Sequence, residues 1–285
     1  LTAKNNLSLT ADDISNSNNS KIIATGDFAL DVDKIDNISS SIISLSNLDI
    51  ASTSLNNKDQ GYIAAVNNID TNNVVAIDND GIIAAGNNFD SLASIDNSGY
   101  LVAYNNVNIR SSSIINSGTI SANSNLTVNS NNINNSGLIT SGLLSLTASG
   151  DITNSGTIEG LFRGDNVLHL ITANNLNNSG VIQTSGDTKY DVKDQLTNSG
   201  YMVSLTNLEL IAKSLTNQNN NSNNNGIASI DGDINITVNS LTNDNGRIAS
   251  GNNLTVISSI ISNSNSSLTA KNNLSLTADD ISNSN

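Results

Sequence analysis

The chain has 285 residues with no cysteine, no proline and no tryptophan, and only three phenylalanines. This composition excludes disulfide cross-links, the commoner zinc sites and a large aromatic core. The net charge of −14 comes mainly from scattered aspartates without a basic stripe, so we expect no nucleic-acid partner. The sequence has neither a leader nor a run of about eighteen apolar residues, and we expect no targeting or membrane-spanning segment within it.

Asparagine supplies roughly a fifth of the residues, and isoleucine, leucine, valine and alanine recur among the polar residues in short alternating bursts. Alternation with a period of two is typical of β-strands that bury one side. The sequence therefore predicts an ordered structure that arises from repetition of a small unit.

The tripeptide Asn-Ser-Gly recurs along the chain and sets the length of this unit. It ends at Gly99, Gly118, Gly137, Gly156, Gly180 and Gly200. Weaker copies place the same turn at Ser20, Ser40, Gly61, Gly81, Gly226, Gly246 and Ser266. Most of these turns lie about nineteen to twenty-one residues apart, which is typical of the coils of a solenoid.

Apolar residues stand at fixed distances after each turn. In the coil that starts at Gly118 they are Ile120, Ala122, Leu126, Val128 and Ile133. Positions two residues apart indicate strands with one side inward, so each coil is predicted to contain three short strands separated by turns. Asparagines such as Asn106 and Asn125 at the second corner are predicted to stack in hydrogen-bonded ladders. Glycine and asparagine at the corners are predicted to supply left-handed backbone.

Residues 1–285 are predicted to form a single continuous all-β segment, a parallel β-helix. Two longer gaps between turns predict loops at 159–167 and 216–225. Residues 1–18 are repeated without change at 268–285, an offset of 267 residues that holds about thirteen coils. The chain is thus interpreted as one 267-residue unit of a tandem array plus an 18-residue overlap, with a duplicated tail as the alternative.

Residues 116–128, Asn-Ser-Gly-Thr-Ile-Ser-Ala-Asn-Ser-Asn-Leu-Thr-Val, resemble the haemagglutinin repeats of filamentous haemagglutinin. The resemblance covers essentially the whole chain. It implies a right-handed parallel β-helix from a two-partner secretion exoprotein, carried through an outer-membrane secretion pore to the bacterial surface or the extracellular medium. Related stalks occur in contact-dependent growth inhibition toxins. The receptor, on a host or neighbouring cell, is not identified by the resemblance.

These observations favour a structural stalk of a large bacterial adhesin that projects a distal binding or toxin segment. One alternative is a self-assembling filament of units joined end to end, because both ends of the sequence carry the same residues. A carbohydrate-active β-helix is a weaker alternative, since such enzymes need clustered carboxylates. The chain has only two glutamates, Glu159 and Glu209, and its one histidine, His169, is expected to face outward. We therefore predict no catalytic residue, no enzyme activity and no cofactor.

Aspartate-rich turns and glycosylation sequons are candidate sites of metal binding and of modification. The segments Asp78–Gly81 and Asp231–Asp233 offer oxygen ligands for calcium, but turn chemistry explains them as well, and no metal site is predicted. Glycosylation sequons begin at Asn6, Asn125 and Asn253, where the asparagine-rich composition is an alternative explanation.

The position directly after the turn glycine is predicted to face outward, yet it is apolar in several coils. These residues, called the seam, are Tyr62, Ile82, Tyr100, Leu138, Val181 and Tyr201. An exposed apolar seam is typical of contact with a partner chain, a loop or a receptor, and lateral self-association is one such contact. The alternative is a wide corner at which these side chains partly cover the backbone.

Overall fold

The computed structural model describes residues 1–163, 167–218 and 226–284. They form an all-β parallel β-solenoid of about fourteen turns with about twenty residues in each turn, which confirms the predicted fold class. The right-handed sense implied by the resemblance stays a prediction. None of the described residues belongs to a helix that is long and apolar enough to cross a membrane.

The chain divides into two compact units, residues 1–142 and 143–285. The prediction of a single continuous segment over residues 1–285 stays a prediction.

Strands of the first unit are frequently long, because the second and third strands of a coil often run together without a break in the ladder. They are β1 (Thr2–Ala3), β2 (Leu7–Asn16), β3 (Lys21–Ala24), β4 (Phe28–Ile38), β5 (Ser41–Ser44), β6 (Leu48–Lys58), β7 (Tyr62–Ala65), β8 (Ile69–Asn79), β9 (Ile82–Ala85), β10 (Asn88–Ser91), β11 (Ser94–Asn97), β12 (Tyr100–Ala103), β13 (Asn106–Asn116) and β14 (Thr119–Asn135). Strand β15 (Leu138–Ala148) contains residues 142 and 143, at which the chain passes into the second unit.

The second unit shows the predicted pattern of three short strands in most of its coils. Its strands are β16 (Asp151–Asn154), β17 (Thr157–Gly160), β18 (Leu168–Ala173), β19 (Asn175–Asn178), β20 (Val181–Thr184), β21 (Asp187–Val192), β22 (Gln195–Asn198), β23 (Tyr201–Ser204), β24 (Leu208–Ile211), β25 (Ser214–Gln218), β26 (Gly226–Ser229), β27 (Ile234–Thr237), β28 (Ser240–Asp244), β29 (Arg247–Ser250), β30 (Leu254–Ile257), β31 (Ile260–Ser264), β32 (Ser267–Ala270), β33 (Leu274–Thr277) and β34 (Asp280–Ser284).

The two predicted loops are shorter at their amino-terminal sides than expected. Glu159 and Gly160 still belong to β17, and residues 216–218 belong to β25. The central part of the first loop, residues 164–166, and residues 219–225 of the second lie outside the described residues.

Parallel pairing places equivalent residues of successive coils over one another. Val107 of β13 lies opposite Leu126 of β14, and in the second unit Ile234 of β27 lies opposite Leu254 of β30. These side chains point inward and are fully buried, since water is excluded between stacked coils. All five apolar residues predicted to be inward in the coil that starts at Gly118 are at most 2% exposed. The core of each unit is therefore a set of apolar columns along the stacking direction.

A buried row of asparagines accompanies these columns in each unit. Within each unit the side-chain Nδ2 donates to the Oδ1 of the equivalent asparagine one coil further on, at 2.7 to 2.8 Å in the first unit and 2.7 to 2.9 Å in the second. The row comprises Asn16, Asn37, Asn57, Asn79, Asn97, Asn116 and Asn135 in the first unit, and Asn154, Asn178, Asn198, Asn217, Asn243, Asn263 and Asn283 in the second. The predicted ladder at the second corner also forms, for example from Asn125 Nδ2 to Asn106 Oδ1 at 2.7 Å. The buried row was not predicted, although it is the more protected of the two.

The glycines of the Asn-Ser-Gly turns are required by close packing and not by a left-handed backbone, whereas Gly226 of a weaker copy has a φ of 150°. A Cβ atom built on Gly118 would lie 2.1 Å from the carbonyl oxygen of Gly99, the equivalent residue one coil earlier. Positive φ angles occur instead at non-glycine residues of the degenerate turns, including Asn18 at 61°, Ser39 at 49° and Gln60 at 64°. The predicted left-handed role of glycine in the Asn-Ser-Gly turns is therefore wrong, because stacked backbones there leave no room for any side chain.

Candidate interaction surface

The seam residues of the first unit form a continuous exposed row over three coils. Tyr62 lies opposite Ile82, and Ile82 lies opposite Tyr100. Their exposed fractions are 37%, 37% and 56%. The alternation within β7, β9 and β12 turns the neighbouring residues inward, so these three side chains point away from the core.

The remaining seam residues do not extend this row. Thr119 lies opposite Tyr100 and separates it from Leu138, which is half-buried. In the second unit Val181 lies opposite Tyr201, and both are half-buried. The structure thus brings three of the six seam residues together as one exposed row and two as a shorter, partly covered one. A role in binding stays a prediction for all six.

A second exposed apolar row lies beside the first and was missed in the sequence. It consists of Leu45, Val66 and Tyr104, with exposed fractions of 49%, 55% and 67%, and Gly86 interrupts it between Val66 and Tyr104. Each follows the end of a strand and keeps its register, because its backbone N–H donates to a carbonyl of the preceding coil at 2.9 to 3.1 Å.

Two alanines, Ala64 and Ala84, lie opposite each other midway between the two rows. Their small side chains leave a shallow groove two coils long, and Ile43 and Val102 stand at its two ends. We call the three rows together the apolar face, defined by Tyr62, Ile82, Tyr100, Ala64, Ala84, Leu45, Val66 and Tyr104. The signal in the sequence was the apolar character of every second residue in 62–66 and 100–104.

The apolar face carries no charge, whereas another side of the same coils is acidic. Asp49, Asp70 and Asp90 lie opposite one another in successive coils. Burial, and to a smaller extent the charge of Asp70, raises the pKa of Asp49. Asn108 Nδ2 donates to Asp90 Oδ1 at 2.9 Å and continues the row with a neutral side chain. The coils that carry the apolar face therefore have an uncharged surface there and a negative surface on another side.

His169 is buried, and the prediction that it faces outward is wrong. Its Nδ1 accepts a hydrogen bond from the Leu144 backbone N–H at 3.3 Å, and its Nε2 lies 3.1 Å from the carbonyl oxygen of Phe162. Because Nδ1 is an acceptor, the neutral ring carries its proton on Nε2. Burial lowers the pKa of His169, and the Phe162 hydrogen bond partly opposes this effect. Gly160 makes room for the ring, since a Cβ there would lie 2.4 Å from Nδ1.

A group of polar side chains lies in the core of the second unit next to His169. The hydroxyls of Thr184 and Thr188 are hydrogen-bonded to each other, and Ser204 Oγ donates to the Gly186 carbonyl at 2.8 Å. Tyr190 is fully buried and its hydroxyl has no hydrogen-bond partner among the described residues. Burial raises the pKa of Tyr190, so the phenol is neutral. This part of the core is held together by directional bonds as well as apolar contact.

Residues weighed as catalytic or metal-binding have ordinary structural partners. Gln183 Nε2 donates to Glu159 Oε1 at 2.6 Å, and Lys189 pairs with Glu209 at 3.1 Å. Asp233 Oδ1 accepts from the backbone N–H and the side chain of Asn253, both at 3.0 Å, and serves as a step of the corner ladder. Across the ranges that the structure describes, no cluster of three or more histidine or carboxylate side chains could hold a metal ion.

The sequon asparagines lie at the corner ladder. Asn6 and Asn125 are exposed, and Asn253 is half-buried. Asn125 and Asn253 both use their side-chain nitrogen as a donor to the preceding coil, which a glycan on that nitrogen would weaken. Glycosylation stays a prediction.

Comparison with known proteins gives one match, and it extends over most of the chain. The profile described as haemagglutinin repeat matches residues 2–102, 92–156, 160–200 and 210–278. No curated protein and no solved structure matches the chain.

Proposed function

This chain belongs to the haemagglutinin repeat family, and from that premise we propose that it is a length of stalk in a large bacterial adhesin. The family is a structural domain of secreted adhesins and is generally non-enzymatic. The stalk would project a distal binding or toxin segment away from the cell. It would contribute to adhesion by the distance at which it holds that segment.

The observation that carries this proposal is the parallel pairing of each strand with its equivalents in neighbouring coils. In each unit the strands pair in parallel with their equivalents, and the buried asparagine row continues through the described coils. Hydrogen bonds that point along the stacking direction resist both stretching and bending. Each coil adds about 4.8 Å in that direction, so the length of the stalk is expected to rise in proportion to the number of coils.

The positions of the two glutamates favour a stalk over a carbohydrate-active enzyme that uses a glutamate pair. Retaining and inverting glycosidases need two carboxyl groups within about 5 to 10 Å of each other across an open groove. Glu159 bonds to Gln183, and Glu209 pairs with Lys189. The two glutamates lie two coils apart, because β17 pairs with β20 and β20 pairs with β23.

Electron microscopy of chains with one, two and three 267-residue units tests the stalk. We expect thin particles whose contour length rises by about 60 Å for each unit, from about thirteen coils at about 4.8 Å. Particles that grow in all directions as units are added, or a contour length that does not scale with unit number, would contradict the proposal.

Export and location follow from the same proposal. We infer that the parent protein passes through an outer-membrane pore and meets a receptor on a host or neighbouring cell. Brief protease treatment of intact bacteria that express the parent is expected to remove the repeats. Repeats that stay intact until the cells are lysed would show an internal location instead.

The second candidate function is a filament of units joined end to end. It is favoured by the identity of residues 1–18 and 268–285, because Asn283 stands where Asn16 stands in the repeat and Asn16 already pairs with Asn37. A parent gene with many units in one chain supports the stalk, whereas a gene with about one unit supports the filament.

A further inference from the structure

We propose that the apolar face of the first unit binds the same face of a second copy of this chain, sheet against sheet, with the stacking directions of the two copies parallel. The inference concerns the chain itself and stands whether or not the parent is a stalk.

The shape of the face is self-complementary. Tyr62, Ile82 and Tyr100 form one ridge along the stacking direction, and the second row forms another that is interrupted at Gly86. The groove between them is two coils long and is floored by Ala64 and Ala84, and Ala64 is only 8% exposed. Tyr62 and Ile82 of one copy can therefore enter the groove of the other, as side chains interdigitate between packed sheets about 10 Å apart.

The positions of the ridges also select the relative direction of the two copies. A twofold axis along the stacking direction reverses the order of the rows, and when it lies between the first ridge and the groove it brings the first ridge of each copy over the groove of its partner. A twofold axis across the stacking direction keeps the order of the rows and sets each ridge on the identical ridge. Only the first arrangement interlocks, and in it the two solenoids run parallel.

Charge favours a second copy over a nucleic acid or an anionic membrane. Both of those surfaces are bound through lysine and arginine, and the apolar face has neither. The chain as a whole carries a charge of −14, so two copies repel each other least when they meet through an uncharged surface. The apolar face is such a surface and is identical on the partner.

The size of the face sets the strength of the contact. Four neighbouring strands at about 4.8 Å and five residues at about 3.3 Å give a flat footprint of roughly 300 Å². A stable pair of proteins buries about 800 Å² on each partner. We therefore expect weak, concentration-dependent association of the single chain, which becomes tight only when several faces act together on longer chains.

Sedimentation equilibrium of the full chain over a concentration range up to roughly 500 µM tests the contact. Ile82→Lys, in the first ridge, is expected to raise the dissociation constant of the pair at least about tenfold, because a lysine charge would be buried. The matched control is Ile115→Lys. Ile115 is also an exposed isoleucine of the first unit, at 46%, but lies between Asp96 and Asn134 on another side. Higher salt should strengthen the pair by screening the repulsion of like charges.

Thiol cross-linking tests the direction, because the chain has no cysteine of its own. Lys21 and Thr119 lie in line with the first ridge at its two ends, about 24 Å apart from the spacing of five coils. For parallel copies, Lys21→Cys chains should cross-link to each other and Thr119→Cys chains to each other. Cross-links that form only in a mixture of the two variants would overturn the parallel arrangement.

A chain that remains monomeric at every concentration would overturn the proposal. The same holds if Ile82→Lys and Ile115→Lys weaken association equally, since the contact would then lie elsewhere. Circular dichroism spectra that match the parent chain establish that both variants are folded. If Ile82→Lys fails to fold, Tyr100→Lys at a 56% exposed position of the same ridge takes its place.

Discussion

Replacing one asparagine of the buried row tests whether this row holds the coils together. Asn97 is fully buried and makes four side-chain hydrogen bonds. Its Nδ2 donates to Asn116 Oδ1 at 2.8 Å, to the Gly99 carbonyl at 3.2 Å and to the Thr119 carbonyl at 3.0 Å. Its Oδ1 accepts from Asn79 Nδ2 at 2.7 Å. Asn97→Ala removes all four bonds and leaves a small cavity.

The expected loss of stability is the sum of these effects. A net contribution of about 1 kcal/mol for each buried hydrogen bond gives about 4 kcal/mol, and the range for such groups puts the loss at about 3 to 5 kcal/mol. Asn79 Nδ2 keeps its bonds to the Gly81 and Tyr100 carbonyls, which limits the loss. The matched control is Asn125→Ala in the exposed corner ladder, where one bond is lost and about 0.5 kcal/mol is expected.

Hydrogen exchange followed by mass spectrometry measures this loss locally, which matters because coils of a repeat protein can open separately. Amides of β11, β12 and the start of β14 should exchange at least about a hundredfold faster in Asn97→Ala. Amides of the second unit provide the internal reference. If Asn97→Ala and Asn125→Ala change exchange by the same factor, the buried row does not stabilise the stack and the reasoning is refuted.

Three further changes probe the core and the turns. His169→Leu should remove a pH dependence of the free energy of unfolding. Because the pKa of His169 is lowered in the folded protein, the unfolded chain binds the proton more readily. The parent chain therefore loses stability as the pH falls below 6.5, the ordinary pKa of histidine. Urea unfolding at about pH 7.5 and about pH 5.5 checks this, and an equal pH dependence in both proteins would argue against the neutral buried ring. Tyr190→Phe deletes a buried hydroxyl that has no partner in the part of the chain that the structure describes, and it should raise stability by about 1 kcal/mol. Tyr201→Phe at a half-buried position serves as control in the same melting experiment. Gly118→Ala places a Cβ 2.1 Å from the Gly99 carbonyl and should lower stability by about 2 to 4 kcal/mol, and a melting temperature equal to that of Ser121→Ala would disprove the close approach.

The repeat and its inward positions could be predicted because both depend on short-range pattern. Ile120, Leu126 and Ile133 are inward wherever strands alternate, and glycine marks the coil length whatever its exact role. The reason for glycine could not be predicted, because the approach of Gly118 to Gly99 is a contact between residues of different coils.

The buried asparagine row was not predicted, because asparagine is usually exposed and its residue type gives no sign of burial at a particular position. Asn97 and Asn116 stand next to serine and glycine and look like exposed turn residues. A buried amide becomes favourable here only because the next coil offers an identical partner at 2.8 Å. That condition is invisible within a single coil, although the exact recurrence of asparagine before Ser-Gly was a signal.

His169 was placed wrongly because the insertion before it shifts the alternation by one residue. Its neighbours Leu168 and Leu170 suggested that these two face the core. The pairing of Ile171 with Leu146 instead fixes the register, which turns His169 inward and leaves Leu168 50% exposed. The apolar face was recognised only in part for a related reason, since aligning coils at the residue after the turn found one row and not its parallel neighbour.

The register of β2 on β4 bears on how such a gene can change in length. Leu7 lies opposite Phe28 and Asn16 opposite Asn37, and residues 268–285 have the same sequence as residues 1–18. Unequal recombination between these identical segments would insert or delete 267 residues and join two surfaces that already fit each other. In a gene that holds several such units, a change in their number would therefore create no new kind of contact between coils.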